Sequence, residues 1–401
     1  MVEILHGLQN CWANKERAAL ATIVEVKGAA YRREGARCLI CESGSMIGTL
    51  SGGCVEGDLV EHARQVIEQG ESREIRYDFG GEGDLLWGLG VGCNGAVTVW
   101  LQPFDPVRFP DQAQQIVQAF AQRVSCTEAY TAGIVLESDD PIGTPVGSHR
   151  VLERQGDSSR RWFRDRCGLV YDRRNGAAVK WFAETVTPRT RLVIYGAGSG
   201  AVPLIAGARK LQWHVTLIDH REEHLKQDLF SQADERVLIL RDEYSEYSIN
   251  LESYAVVMTH NYELDRKLIE SLLPGDIAYL GVLGSRDRIV RILHDIRLSG
   301  KEWNEDWLTK LHAPIGLDIG ADSPEEIALS ILSELLCRKN GRSGQSLKLR
   351  EEPMHERYSA VEPLMHEWVP KQGSFLNERY PAGQYSVSGR LHPIRLALVN
   401  E

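Results

Sequence analysis

The sequence predicts an α/β chain in two parts, a mixed α and β N-terminal domain followed by a Rossmann-like, doubly wound parallel sheet. Three observations predict it. From Thr190 onward, short apolar runs (192–195, 215–218, 255–258, 277–280) alternate with helical periods, the spacing of βαβ units. The first run feeds directly into Gly196-x-Gly198-x-x-Ala201, and the second ends at Asp219, the order of a dinucleotide-type fingerprint. In the first hundred residues, strand-like runs (21–26, 38–41, 97–101) are broken by glycine-dense loops and end at Pro103 and Pro106.

A length of 401 residues suggests two to three domains at about 150 residues each. The expected divisions are 1–105, the N-terminal domain; 106–188, a connector or continuation of it, with a polar helical stretch and a strand at 132–136; 189–340, the Rossmann-like part; and 341–401, an extension that wraps the body or a partner. Hydrophobic residues at 43% and charged residues at 25% exclude wholesale disorder and fibrous chains. The net charge of -10 argues against nucleic acid as a partner, so any anionic ligand needs a local device. No basic n-region precedes an apolar run at the N-terminus, and no run is long enough to span a membrane. The expected location is therefore the cytoplasm, with reduced thiols. Cys38 and Cys41 have C-x-x-C spacing but continue an apolar, strand-like run, which reads as packing rather than redox or metal chemistry.

In the Rossmann-like part, Gly196 permits the tight turn, Gly198 lets backbone approach a phosphate, and Ala201 lets helix and strand pack closely. Asp219 stands where a ribose hydroxyl would be bound and would repel a 2′-phosphate, favouring NAD over NADP if a nicotinamide nucleotide binds. A domain kept for its shape, or for another phosphate-bearing ligand, fits the same residues. Thr259-His260-Asn261 and Gly284-Ser285-Arg286 follow later strands and share that rim. Arg286 and nearby amides suit a phosphate, and His260 suits an acid or base, or a turn or cap residue. Further on, Ser323-Pro324-Glu325-Glu326 signals a capped helix start, with Ile327, Ala328, Ile331, Leu332, Leu335 and Leu336 on one face.

The first domain carries Ser51-Gly52-Gly53-Cys54-Val55-Glu56-Gly57-Asp58, followed by Leu59, Ala63, Val66 and Ile67 at helical spacing. Cys54 thus falls at or just before a helix N-terminus, where a thiol's pKa is lowered. The Ser-Gly-Gly amides could cradle an anion, with Glu56 and Asp58 competing against it. A buried small residue in a tight loop is the plainer reading. Cys93 sits in a second glycine-rich loop, Trp87 to Gly95, at a bend signalled by Asn94-Gly95. Arg32, Arg33 and Arg37 are candidates for local positive charge if the two thiol loops converge.

AAYRREGAR, SGGCVEGD, GLGVGCNG, the GAGSGA turn with IDHR after it, MTHNYELD, LGVLGSR and PIGLDIGADSPEEIALSILSELL occur in that order. Together they resemble the XdhC/CoxI family, accessory factors of molybdenum hydroxylases, over most of residues 15–340. The resemblance implies an N-terminal XdhC/CoxI domain and a C-terminal Rossmann-like domain. It implies a role in binding the molybdenum cofactor in its molybdopterin form, supporting its sulfuration by a cysteine desulfurase, and delivering it to a xanthine dehydrogenase-type apoenzyme. A homodimer is the expected assembly. Cys54 and Cys93 match the family's cysteine loops, which makes them the candidate molybdenum ligands, or sulfur carriers. Two departures stand out: GAGSGA lacks the histidine and valine that many relatives carry after the second glycine, and GCNG replaces GCGG. Two rival readings remain, an NAD-dependent oxidoreductase using Gly196, Gly198, Asp219 and His260, and a sulfurtransferase using Cys54.

Overall fold

The computed structural model describes residues 1–28, 30–53, 55–79, 95–154, 167–174, 176–241, 243, 253–299 and 304–350, and in them the chain builds three sheets. The first is antiparallel and centres on β1 (Ala18–Gly28), an edge-free strand flanked by β2 (Arg37–Cys41) and β5 (Gly95–Phe104), with β3 (Met46–Gly48) and β4 (Arg73–Asp78) outside them. Alternation sorts its side chains. Ala19, Ala21 and Ile23 join Cys38, Ile40, Val97 and Val99 beneath α2 (Glu56–Gln69), which supplies Leu59, Ala63, Val66 and Ile67. Ala18, Leu20, Leu39 and Cys41 face the other way, under α1 (Val2–Asn14) and α3 (Pro110–Ser125).

The second sheet, also antiparallel, has the order β7 (His149–Arg154), β6 (Tyr130–Ser138), β9 (Ala177–Val186), β8 (Cys167–Arg174). It continues the α1/α3 side of the first sheet: Ile134, Leu136 and Phe182 meet Val24 and Trp100 in one apolar cluster. A buried ion pair crosses the same junction, for Glu184 of β9 takes both Arg37 of β2 and Arg123 of α3. Arg37, a candidate for local positive charge should the thiol loops converge, is therefore spent inside the fold, 5% exposed.

The third sheet is wholly parallel. Its order is β12 (Glu235–Leu238), β11 (His214–Asp219), β10 (Arg191–Tyr195), β13 (Tyr254–Val257), β14 (Tyr279–Val282), β15 (Leu311–His312), the doubly wound order with its switch point between β10 and β13. One face carries α4 (Ala201–Lys210) and α8 (Pro324–Lys339), and the other α6 (Tyr262–Leu272) and α7 (Arg286–Leu298). A short α5 (Glu222–Leu225) follows β11. The expected Rossmann-like sheet is present. The fourth run, expected over 277–280, pairs two residues later, because Tyr254 aligns with Tyr279 across an unbroken apolar stretch that marks no start of its own. The short edge strands β12 and β15 lack an apolar core pattern and were not expected. The Ser323 start of α8 is a full capping box: Ser323 Oγ accepts from the Glu326 amide at 3.2 Å and Glu326 Oε2 from the Ser323 amide at 3.1 Å. Among the described residues no helix is long and apolar enough to cross a membrane.

Candidate functional site

Among the described residues, two places that carry sequence-predicted site residues combine conformationally demanding backbone with polar chemistry. The first is the loop between β3 and α2. Gly48 (φ 88°) and Gly53 (φ 110°) hold backbone that L side chains rarely adopt. Ser51 and Gly52 wall a pocket of about 100 Å³, closed by Tyr31, Tyr77, Phe79 and Val99. The Tyr31 ring lies 3.9 Å from the position a Cβ would take on Gly52, so the turn that carries Arg32 (exposed) and Arg33 (half-buried) is brought to the loop. Tyr77 donates its hydroxyl to Asp58 at 2.8 Å, and burial together with that bond pushes its phenol up, leaving it protonated.

Three amides of the loop that spacing suggested as a cradle, those of Ser51, Gly53 and Val55, already have partners within it. Glu56 folds back over them: Oε1 accepts from the Ser51 amide at 3.3 Å, and Oε2 from the Val55 amide at 3.2 Å and the Ser51 hydroxyl at 2.5 Å. The Gly53 amide donates to Ser51 Oγ at 3.1 Å. An anion arriving here meets a resident carboxylate, and positive charge must come from elsewhere. Cys54 and Cys93, the predicted molybdenum-proximal thiols, lie outside the described residues. The aromatic walls Tyr31, Tyr77 and Phe79 were missed, since single aromatics in separate elements give no local signal.

The second place is the C-terminal rim of the parallel sheet. Gly196 has φ 116°, and a Cβ on it would stand 2.5 Å from the Met258 carbonyl oxygen; the end of β13 presses against this turn, so only glycine fits. Gly198 faces the His260 ring, whose Cδ2 would sit 3.9 Å from a Cβ there. Ala201 is fully buried at the first position of α4, and its amide donates to the Gly198 carbonyl at 3.0 Å. His260 is exposed, with φ 60°, an uncommon conformation for a residue with a side chain. It therefore stands at the β10/β13 switch point, where open α/β sheets take ligands.

The loop carrying His260 is braced from behind. Thr259 Oγ1 donates to Asp265 at 2.5 Å and accepts from the Asn261 amide at 3.1 Å, while Asn261 Oδ1 caps α6 through the Leu264 amide. Asp265, wholly buried, pairs with Arg288 Nη1 at 2.7 Å. On α7, Ser285 is the N-cap and Arg286 is exposed at the first helical position. Helix phase, which the string Arg286-Asp287-Arg288 does not display, turns Arg288 rather than Arg286 toward the bracing network.

Asp219 departs furthest from its expected role. It is 1% exposed, and its oxygens are occupied: Oδ1 accepts from the Arg221 amide (2.8 Å) and Nε (2.9 Å), Oδ2 from the Ala197 amide (2.7 Å) and Arg221 Nη2 (2.8 Å). Burial opposes its ionisation, but Arg221 and the two amides outweigh that and hold its carboxyl at about 2. Asp219 thus ties the glycine turn to β11, and a ribose hydroxyl would have to displace Arg221. The pairing had a local signal, a carboxylate and a guanidinium two residues apart at a strand end.

Residues 11–78 match the model of the XdhC and CoxI family, and residues 192–335 that of the XdhC Rossmann domain. A Bacillus subtilis protein, named as a probable subunit of xanthine dehydrogenase, is 32% identical over 324 residues, spanning 80% of this chain and 93% of that one. The chain belongs to the XdhC/CoxI family. An Escherichia coli relative named molybdenum cofactor insertion chaperone PaoD is 25% identical over 79% of this chain and 82% of its own. A solved structure from Bacillus halodurans, described as a xanthine dehydrogenase, superposes with a TM-score of 0.64 at 28% identity, covering 85% of this chain and 96% of that one. Family membership accounts for the joining of an antiparallel N-terminal half to a Rossmann-like C-terminal half.

Proposed function

We propose that this protein is an accessory factor that binds the molybdenum cofactor, in its molybdopterin form, as cargo, supports its sulfuration by a cysteine desulfurase and delivers it to a molybdenum hydroxylase apoenzyme of the xanthine dehydrogenase type. The names of the relatives support the cofactor-related role. The observation that supports this reading is the aromatic-walled pocket against Ser51 and Gly52, two residues before Cys54 in the sequence. A flat heteroaromatic ring suits walls of Tyr31, Tyr77 and Phe79, where offset stacking replaces contact with water. Protonated Tyr77, fixed by Asp58, adds a rigid polar rim.

In this reading Cys54 and Cys93 are the soft donors for molybdenum. Because Glu56 already occupies the Ser51 and Val55 amides, Arg32 and Arg33 on the Tyr31 turn hold the cargo's phosphate. The residues 1–105, 106–188, 189–340 and 341–401 serve as cofactor-binding half, its continuation, Rossmann-like half and extension, and the protein works as a cytoplasmic homodimer. The rim residues Gly196, Gly198, His260, Gly284, Ser285 and Arg286 form a second ligand face at the switch point, with buried Ala201 packing α4 behind it. One observation weighs against the oxidoreductase alternative: the carboxylate that would read an NAD ribose has its oxygens filled by Arg221 and two amides.

The test is anaerobic loading with free cofactor, followed by molybdenum analysis and detection of the fluorescent pterin product of acid iodine oxidation. Near-stoichiometric loading of the wild type is expected, with loss in Cys54→Ala, Cys93→Ala and Tyr77→Ala variants of unchanged circular dichroism. Absence of loading in the wild type refutes the carrier reading.

A further inference from the structure

We propose that Cys11, Glu16 and Cys41 form a site for a thiophilic divalent cation of the zinc type, which ties the N-terminal helix to the first sheet. The three donors arrive from separate local structures. Cys11 lies in the last turn of α1, and Cys41 is the final residue of β2. Glu16 lies beyond the helix but is turned back: Lys15 takes a left-handed conformation (φ 54°), its amide donates to the Trp12 carbonyl at 3.3 Å, and the Glu16 amide donates to the Cys11 carbonyl at 2.9 Å. This double closure of the helix end delivers the carboxylate to the Cys11 thiol.

The two distances from the Cys11 sulfur fit coordination. The Cys11 and Cys41 sulfurs are 3.8 Å apart, Cys11 Sγ is 3.8 Å from Glu16 Oε2, and all three donor atoms lie within 4.8 Å of one another. A tetrahedral zinc, with bonds of about 2.3 Å to sulfur and about 2.1 Å to oxygen, sets sulfur pairs about 3.8 Å apart and sulfur and oxygen about 3.6 Å apart. A disulfide would need about 2.05 Å. Two soft donors and one hard donor suit zinc, whereas copper(I) favours an all-sulfur set and magnesium or calcium an all-oxygen one. Burial, then the neighbouring Cys41 and Glu16, push the Cys11 thiol up; a divalent cation reverses that balance, releasing both thiol protons to solvent as the metal–sulfur bonds form. Cys11 and Cys41 are buried while Glu16 is half-buried, so the open side for entry and for a fourth, water ligand is the carboxylate side.

The C-x-x-C spacing of Cys38 and Cys41 points away from this site. Those residues face opposite sides of β2, Cys38 beneath α2 and Cys41 beneath α1. The consequence is mechanical: α1 also reaches the other half of the chain, where the Met1 ammonium donates to Gln212 at 2.7 Å, and a cation at its far end fixes the helix making that contact.

The test uses full-length protein, reduced and freed of metal by chelation, titrated with cobalt(II) and back-titrated with zinc. One equivalent of cobalt should develop thiolate charge-transfer and tetrahedral ligand-field bands that zinc bleaches. The bands should persist when Cys54 and Cys93 are both replaced by alanine, vanish in Cys11→Ser and Cys41→Ser, and require about tenfold or more cobalt in Glu16→Gln. Zinc should raise the melting temperature of the wild type, and less so that of Glu16→Gln, whose partly exposed site keeps the fold intact. No thiolate band, or bands that survive in Cys11→Ser and Cys41→Ser, overturns the proposal and leaves a buried thiol contact.

Discussion

Replacing Glu184 with glutamine tests how the two sheets of the N-terminal half are held together. Glu184 accepts from Arg37 Nη1 at 3.0 Å, from Arg37 Nη2, and from Arg123 Nη1 at 2.5 Å. Both arginine side chains are 2% exposed and the carboxylate 8%, and the Phe120 ring lies 5.5 and 5.6 Å from the two guanidinium carbons. Burial opposes the carboxylate's ionisation, but Arg123 and Arg37 outweigh it and hold its pKa at about 2 instead of 4.5. That displacement corresponds to about 3 kcal/mol at 1.36 kcal/mol per unit, and removing one partner of a buried pair typically costs about 3–5 kcal/mol. The same Glu184 contribution is fully present above pH 4.5 and lost as pH falls through about 2. Glutamine keeps the volume, removes the charge and leaves two arginines facing each other, so a loss of about 3–5 kcal/mol is expected. Urea unfolding followed by the fluorescence of Trp100 and Trp181, buried in the first and second sheets, reads it. Adding Arg123→Met should recover part of the loss. A loss below about 1 kcal/mol, or no recovery in the double variant, would refute the buried triad as the joint between the sheets.

Burial, then Arg123 and Arg37, hold the His149 pKa down at about 3, against 6.5 when unfolded. Between those values the unfolded chain binds more protons, so stability should fall as pH drops from about 6.5 toward 3, by at most about 5 kcal/mol, and chemical denaturation of His149→Gln over this window should show a flatter profile. Gly196→Ala places a Cβ 2.5 Å from the Met258 carbonyl oxygen at φ 116°; a loss of about 2 kcal/mol or more, seen as earlier proteolysis of the C-terminal half, is expected. Ser323→Ala opens the capping box of α8 and should cost about 1 kcal/mol by thermal denaturation, with secondary structure unchanged at about 25 °C.

The sequence alone determined the features written over short spans. The βαβ alternation, the glycine turn at Gly196 and the capped start of α8 each depend on neighbours within a few residues, and the cores beneath α2 and α8 follow their helical periods. The packing role of Cys38 was legible for the same reason. Tertiary structure decided whatever needs two distant segments to meet. Arg37 looked like free charge until Glu184, 147 residues away, neutralised it. Cys41 found Cys11 on another element rather than Cys38 beside it, since a three-residue step along a strand reverses the face. Asp219 stands in the predicted place with a different task, because the turn after β11 brings Arg221 to its oxygens and the turn after β10 brings the Ala197 amide. Residue type and spacing state which chemistry a position can carry; burial and the partner that fills its hydrogen bonds determine which chemistry it keeps.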